Sequence, residues 1–271
     1  MTNGVCIVAQ NNTNTDYVRQ AYALSLSILK NNPNTSISLI TNDEVSSEYK
    51  IFDNIIPIPW GDSAKHSDWK IDNRWKVYHV TPYRNTIVFD ADMLVLENID
   101  YIWSNESKLN FTSNVTTFRN ELATSRYYRK TFDANNLPNV YTGMYSFTKC
   151  PETHGFFVLL DIIMKNWKLF YKKFSPKKQQ GWCSFDVSVA IAIKILGKQN
   201  YYLNNQAYCF THLKPRMQNL SYAPQKCFDL LKMDFGDNGI FINGYKQHGI
   251  LHYVEDEYLT DELINYFKEQ V

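Results

Sequence analysis

In Ile87-Val88-Phe89-Asp90-Ala91-Asp92-Met93-Leu94-Val95-Leu96-Glu97-Asn98, three apolar residues run straight into two carboxylates, and a second apolar run follows at once. A continuous apolar stretch of this kind predicts a buried strand. Carboxylates at the end of such a strand cost stability unless something pairs with them, because unpaired buried charge is expensive. A divalent cation supplies that partner. Oxygen ligands suit Mg²⁺ or Mn²⁺, and Mg²⁺ usually takes one or two carboxylates together with substrate phosphates. The competing expectation is a plain strand that ends in an acidic turn.

Upstream, Val5-Cys6-Ile7-Val8-Ala9 predicts a first strand, followed by the polar loop Gln10 to Thr15. Asp16 stands where a helix cap belongs, and Tyr17, Ala21, Leu24 and Ile28 recur at helical spacing until Asn31-Asn32-Pro33. Ser36 to Thr41 predicts a second strand, and Ile55 to Pro59 a short edge strand. Strand and helix alternate, so a parallel sheet with helices on its faces is expected. Ligands of such sheets sit at the carboxyl ends of the strands, where the loop after Ala9 and the Asp90-Ala91-Asp92 turn both fall. Downstream, Val140 to Phe147 predicts a strand containing Gly143. Glu152 to Phe174 predicts one helix with Phe156, Leu159, Leu160, Ile163 and Trp167 inward. Ser184-Phe185-Asp186 opens a helix over Val187 to Leu196, and Asp261 to Gln270 is amphipathic.

The 271 residues suit a single α/β domain; 44% hydrophobic and 20% charged content exclude a disordered chain. No apolar run reaches about 18 residues, so no membrane span is expected. The N-terminus lacks the basic start and apolar core of a signal peptide. Five cysteines, odd in number and without a Cys-x-x-Cys pair, predict neither disulfide framework nor zinc site but thiols in a reducing compartment, the cytoplasm. The net charge of +1 hides an asymmetry: residues 119–182 carry 11 basic and 4 acidic side chains, whereas both flanking segments are acidic.

With both flanks, Arg74-Trp75-Lys76-Val77-Tyr78-His79-Val80-Thr81-Pro82-Tyr83 before it and Leu94-Val95-Leu96-Glu97-Asn98-Ile99 after it, Asp90-Ala91-Asp92 resembles the Asp-x-Asp region of GT-A nucleotide-sugar glycosyltransferases. The match is closest to the glycogenin-like, family-eight branch. It runs from Arg74 to Trp103, and a looser similarity in element order covers most of the chain. The resemblance implies the GT-A fold, a Rossmann-like, mostly parallel central sheet flanked by helices in one domain. Residues 1–118 would form the nucleotide-sugar half and residues 119–271 the sugar and acceptor half. It further implies metal-dependent transfer of a hexose or pentose from a nucleotide-diphosphate sugar, in that branch a UDP-sugar, with Mn²⁺ or Mg²⁺ as cofactor.

Residue by residue, the resemblance assigns the metal to Asp90, Asp92 and His252, which follows the apolar run Gly249-Ile250-Leu251; His212 is the rival ligand. It assigns donor contacts to Ala9, Asn11, Tyr17 (against the uracil), Arg74, Lys76, Asp90, Ala91 and Gly143. Lys214 is expected in place of the family's diphosphate-clamping Lys, with Lys246 as the other choice. Asp186 and Asp90 fall at the reacting centre. Tyr17 as a core aromatic and Asp186 as a helix-start residue favoured by the macrodipole are the structural alternatives. The chain departs from the family pattern at Tyr141 and Thr142, which replace Asn and Ser, at Val187, which replaces Gln, and after His252, where Val254-Glu255-Asp256-Glu257 lacks the usual Gly and Lys.

A haloacid-dehalogenase-type phosphatase also uses hydrophobic-Asp-x-Asp, with Asp90 as nucleophile and Asp92 as acid/base. That motif normally follows the first strand and precedes a Thr, and neither holds here. An inactive module that binds sugar nucleotides or nucleic acid is the third possibility. For the acceptor, the basic segment interleaved with Tyr127, Tyr128, Trp167, Tyr171 and Trp182 suits an anionic polymer. A hydroxylated DNA base, flipped from the duplex as in viral DNA modification, is one expectation; a glycan or a protein is the other.

Overall fold

The computed structural model describes residues 2–60, 73–103, 107–113, 115–122, 130–204, 210–218, 220 and 225–271. In chain order the first elements are β1 (Asn3–Val8), α1 (Tyr17–Asn31), β2 (Ile37–Ile40), β3 (Asn54–Ile56), α2 (Val77–Val80), β4 (Asn85–Asp90) and β5 (Met93–Val95). Then come α3 (Asp100–Trp103), β6 (Leu109–Thr112), α4 (Lys130–Asn135), β7 (Tyr141–Thr148), α5 (Pro151–Lys165), α6 (Trp167–Phe174) and α7 (Phe185–Leu196). The chain closes with α8 (Gln199–Tyr202), β8 (Leu203–Asn204), β9 (Phe210–His212), β10 (Met233–Gly236), β11 (Gly239–Ile242), β12 (Tyr245–Lys246), β13 (Ile250–His252) and α9 (Asp261–Lys268).

A seven-stranded sheet in the order β3-β2-β1-β4-β7-β6-β8 forms the centre. The pairs β3-β2, β2-β1, β1-β4 and β6-β8 are parallel, while β7 runs antiparallel to both β4 and β6. Alternation along the buried strands divides the core. Val5, Ile7, Ile87 and Phe89 face α1 on one side. Cys6 and Val88 face the opposite side, where α5 and α7 bring Phe156, Leu160 and Ile191. Burial on both faces explains why β1 and β4 read as unbroken apolar runs. Helix α1 begins at the Asp16 cap, whose carboxylate accepts from the Arg19 amide at 3.0 Å. It is covered on its far side too, where Tyr22 and Leu26 join Leu251, Leu263 and Phe267 in a third cluster.

One element adds to the sequence reading and one departs from it. The apolar run after Asp92 does not stay in the central sheet; β5 turns away and pairs antiparallel with β13, which is parallel to β9, making a second, three-stranded sheet. The helix expected from Glu152 to Phe174 is interrupted at Asn166, where φ −118° and ψ 29° leave the helical region. Its side-chain amide donates to the Ile162 carbonyl at 2.9 Å, the kind of local competition for backbone groups that makes Asn a poor helix-interior residue. Of the residues expected inward, Phe156, Leu160 and Ile163 are fully buried, while Leu159 and Trp167 are partly so. Among the described residues no helix is long and apolar enough to cross a membrane. Cys6, Cys150, Cys183 and Cys227 are free thiols.

Candidate active site

Val8 and Asp90 end β1 and β4 side by side in the ladder, and both open into a cleft of about 620 Å³. Because β7 runs the other way, it brings its first residues, Tyr141, Thr142 and Gly143, to the same rim. Gly143 is required by close approach: a Cβ there would stand 2.6 Å from the Tyr141 ring and 3.1 Å from Asp90 Oδ2. Any side chain at this position would displace the carboxylate.

The second sheet supplies the remaining wall. Pairing of β5 with β13 sets His252 opposite Met93, and the Tyr253 amide donates to the Asp92 carbonyl at 3.1 Å. His252 Nε2 therefore stands 2.9 Å from Asp92 Oδ2. Its other ring nitrogen, Nδ1, lies 2.7 Å from the Tyr141 hydroxyl. Parallel pairing of β9 with β13 places His212 at the same register, its ring centre 4.5 Å from that of His252 and its Nε2 3.4 Å from the Tyr141 hydroxyl. Among the described residues, Asp90, Asp92 and His252 form the one group of three ligand-type side chains whose ligand atoms all lie within 4.8 Å of one another. Such spacing fits a small octahedral ion, whose ligands at about 2.1 Å stand about 3–4 Å apart, after minor side-chain rotation. Two carboxylates with one imidazole make an oxygen-rich set of the kind Mg²⁺ or Mn²⁺ accepts. Ligation through Nε2 would put the His252 proton on Nδ1, where it would donate to the Tyr141 oxygen, so Tyr141 would support that tautomer and the plane of the ring.

A polar chain lines the opposite wall. Arg74, in the 3₁₀ turn before α2, forms an ion pair with Asp90 and donates to the Thr142 carbonyl at 2.8 Å. Thr142 in turn donates from its amide and its hydroxyl to Asp186 Oδ1, at 2.9 and 2.5 Å. Asp186 sits in the first turn of α7, behind the Ser184 cap whose hydroxyl accepts from the Val187 amide at 3.4 Å. The carboxylate thus has both a fixed orientation and the favourable end of a helix dipole. Arg74 Nε is buried and makes no hydrogen bond among the described residues, leaving a guanidinium donor unused beside the cleft.

Tyr17, Ala91, Asp92, Lys214 and His212 also line the cleft. Ala9, Asn11 and Lys76 lie outside its lining. Ala9 is fully buried with its amide on the Ile40 carbonyl, Asn11 Oδ1 accepts from the Val18 amide at the start of α1, and Lys76 Nζ rests over the Trp75 ring. Lys246, on β12, is not part of the lining either. Gln10, Phe132 and Gln180 join the walls without having been singled out in the sequence. Only the position of Gln10 just past the first strand pointed to it; no periodicity marks the other two. Tyr127 and Tyr128 lie outside the described residues. Tyr171 is fully buried, its hydroxyl held by the Ser184 backbone at 2.8 and 3.1 Å, and is closed to any ligand.

No protein-family model and no curated protein matches the chain. Solved structures do. The glycosyltransferase GlyE of Streptococcus pneumoniae TIGR4 superposes over 100% of this chain and 60% of its own, with a TM-score of 0.51 at 14% identity. The bifunctional glycosyltransferase WbbM (99% and 49% covered, TM-score 0.49, 12% identity) and the galactosyltransferase LgtC with donor and acceptor sugar analogues (99% and 95%, 0.48, 10%) are also similar. The chain spans about three-fifths of the length of GlyE. The superposition on GlyE, together with the mostly parallel central sheet, identifies the fold as that of the GT-A glycosyltransferases.

Proposed function

We propose that the chain is a metal-dependent glycosyltransferase that takes a sugar from a nucleotide-diphosphate donor, a UDP-sugar, and passes it to a hydroxyl of an acceptor. The observation that carries this is the convergence of Asp90 and Asp92, at the turn that ends β4, with His252, from β13 of the second sheet, at the carboxyl edge of a GT-A sheet and on the wall of a large cleft. A bound Mn²⁺ or Mg²⁺ would supply positive charge to the leaving diphosphate, where negative charge grows in the transition state. Asp90 and Asp92 would hold the ion with His252, whose ring Tyr141 keeps in plane. Arg74 carries a positive charge on the cleft wall that would attract the diphosphate, and Lys214, also on the lining, would be a second cation. Tyr17, at the first residue of α1 and on the cleft lining, would lie against the base. Asp186, locked by Thr142, would accept from sugar hydroxyls near the reacting carbon. In the transfer the bond from the anomeric carbon to the phosphate oxygen breaks, the acceptor oxygen bonds to that carbon, and the acceptor proton passes to the departing diphosphate.

Burial of Tyr171 removes one of the aromatics that a nucleic-acid acceptor would need for stacking, which favours a glycan acceptor on the side formed by residues 119–271. The test is release of nucleoside diphosphate from a panel of nucleotide sugars, with Mn²⁺ and with EDTA. One donor should be hydrolysed with Mn²⁺ alone, and Asp92→Asn should abolish release. Phosphate release from simple phosphomonoesters with none from any nucleotide sugar would sink the proposal.

A further inference from the structure

Away from the cleft, the outer face of α5 and α6 departs from what water favours. Val158, Ile162 and Leu169 are exposed to 44, 48 and 68%. Steps of four and seven residues align them on one stripe, opposite the face that buries Phe156, Leu160, Ile163 and Tyr171. Burial keeps its phase across the interruption at Asn166, with Phe156, Leu160, Ile163 and Tyr171 buried and Val158, Ile162 and Leu169 exposed at one helical spacing. Lys165 and Lys172 continue the stripe, Lys168 and Lys173 flank it, and Lys177 and Lys178 follow in the next loop, all exposed. Only two acids occur between residues 151 and 182, and both are neutralised: Asp161 pairs with Lys165 at 2.6 Å and Glu152 with Lys198 at 2.7 Å.

Exposed apolar residues scattered singly need no explanation. Three in line with a surplus of lysines around them have the composition of an interfacial helix, which sinks aliphatic side chains into the acyl boundary and lays ammonium groups among anionic headgroups. We propose that this face docks the protein on an anionic lipid surface. A polyphosphate chain would satisfy the lysines but offers nothing to the aliphatic stripe, and Trp167, Phe170 and Phe174, which stacking would require, pack against the core instead. A protein partner fits less well, since lysine is depleted from the buried centre of such interfaces. The chain runs from this face through Lys177 and Lys178 to Gln180 and Trp182 on the cleft wall, so one short loop joins the docking face to the acceptor side. The inference is independent of the reaction proposed above.

Sedimentation of the full chain with phosphatidylcholine vesicles, with and without phosphatidylglycerol, tests it. Binding is expected only to the anionic vesicles and should fall as salt rises. Replacing Lys172 and Lys173 together by Glu should lower partitioning at least about tenfold, and Leu169→Asp by a comparable factor. Thermal unfolding of both variants should match the wild type, since all three positions are exposed. No binding to anionic vesicles, equal binding to neutral ones, or binding that Leu169→Asp leaves intact would overturn the proposal. Binding to duplex DNA with none to vesicles would overturn it in favour of a nucleic-acid partner.

Discussion

Tyr141 is the residue through which the candidate metal group is held in shape. Its hydroxyl, 2.7 Å from His252 Nδ1, supports the ring orientation that the pairing of β5 with β13 sets against Asp92. Removing it in Tyr141→Phe should leave the fold intact, because the ring still packs against Phe210 and the β7 backbone is unchanged. The expected effect is Mn²⁺ binding weakened by about 10- to 100-fold, the usual size of a lost partner behind a metal ligand, read by titration of the ion. Unchanged affinity would remove Tyr141 from the site. Asp90 and Asp92 stood out in the sequence because they are carboxylates at the end of an apolar run, and Asp186 through the family resemblance. The role of Tyr141 was not legible: it marked only a departure from a resembled pattern, and its contact with His252 spans 111 positions of sequence. Choosing between His252 and His212 met the same limit. The two stand at one register of neighbouring strands, and only the three-dimensional pairing sets His252 against Asp92.

Among elements, β1, β2, β4 and α1 were readable because each is long enough to show its apolar pattern. Strands of three residues are not. β5, β9 and β13 carry too little pattern to reveal that they leave the central sheet and form one of their own, yet that small sheet is what brings His252 to Asp92. The break at Asn166 was hidden for a different reason, since the apolar spacing continues across it and only the Asn side chain interrupts the backbone ladder. Helix α7 shows the opposite case, a readable start with a functional consequence. Its Ser184 cap and the Gly197 left-handed stop (φ 63°) bound an apolar helix whose first turn presents Asp186 to the cleft. Ser184→Ala should cost about 1 kcal/mol of stability, the usual size of a lost N-cap, as a lower denaturant midpoint at unchanged slope. A loss below a few tenths would mean that the 3.4 Å contact contributes nothing.

At the scale of the whole molecule, the sheet, the second sheet and α7 enclose one cleft in which a metal-ligand group, a buried arginine and a fixed carboxylate face the same space. Net charge said little about this, because the +1 total averages acidic flanking portions against the basic segment 119–182, whose Lys165, Lys168, Lys172 and Lys173 are exposed on α5 and α6. The central claim is that the cleft binds a nucleoside diphosphate through a divalent ion held by Asp90, Asp92 and His252. Calorimetric titration of uridine diphosphate tests it most directly, into the wild type with Mn²⁺, into the wild type with EDTA, and into Asp92→Asn with Mn²⁺. Saturable one-site binding is expected in the first case and its loss in the other two. Equal affinity with EDTA, or an undiminished isotherm for Asp92→Asn, would contradict it.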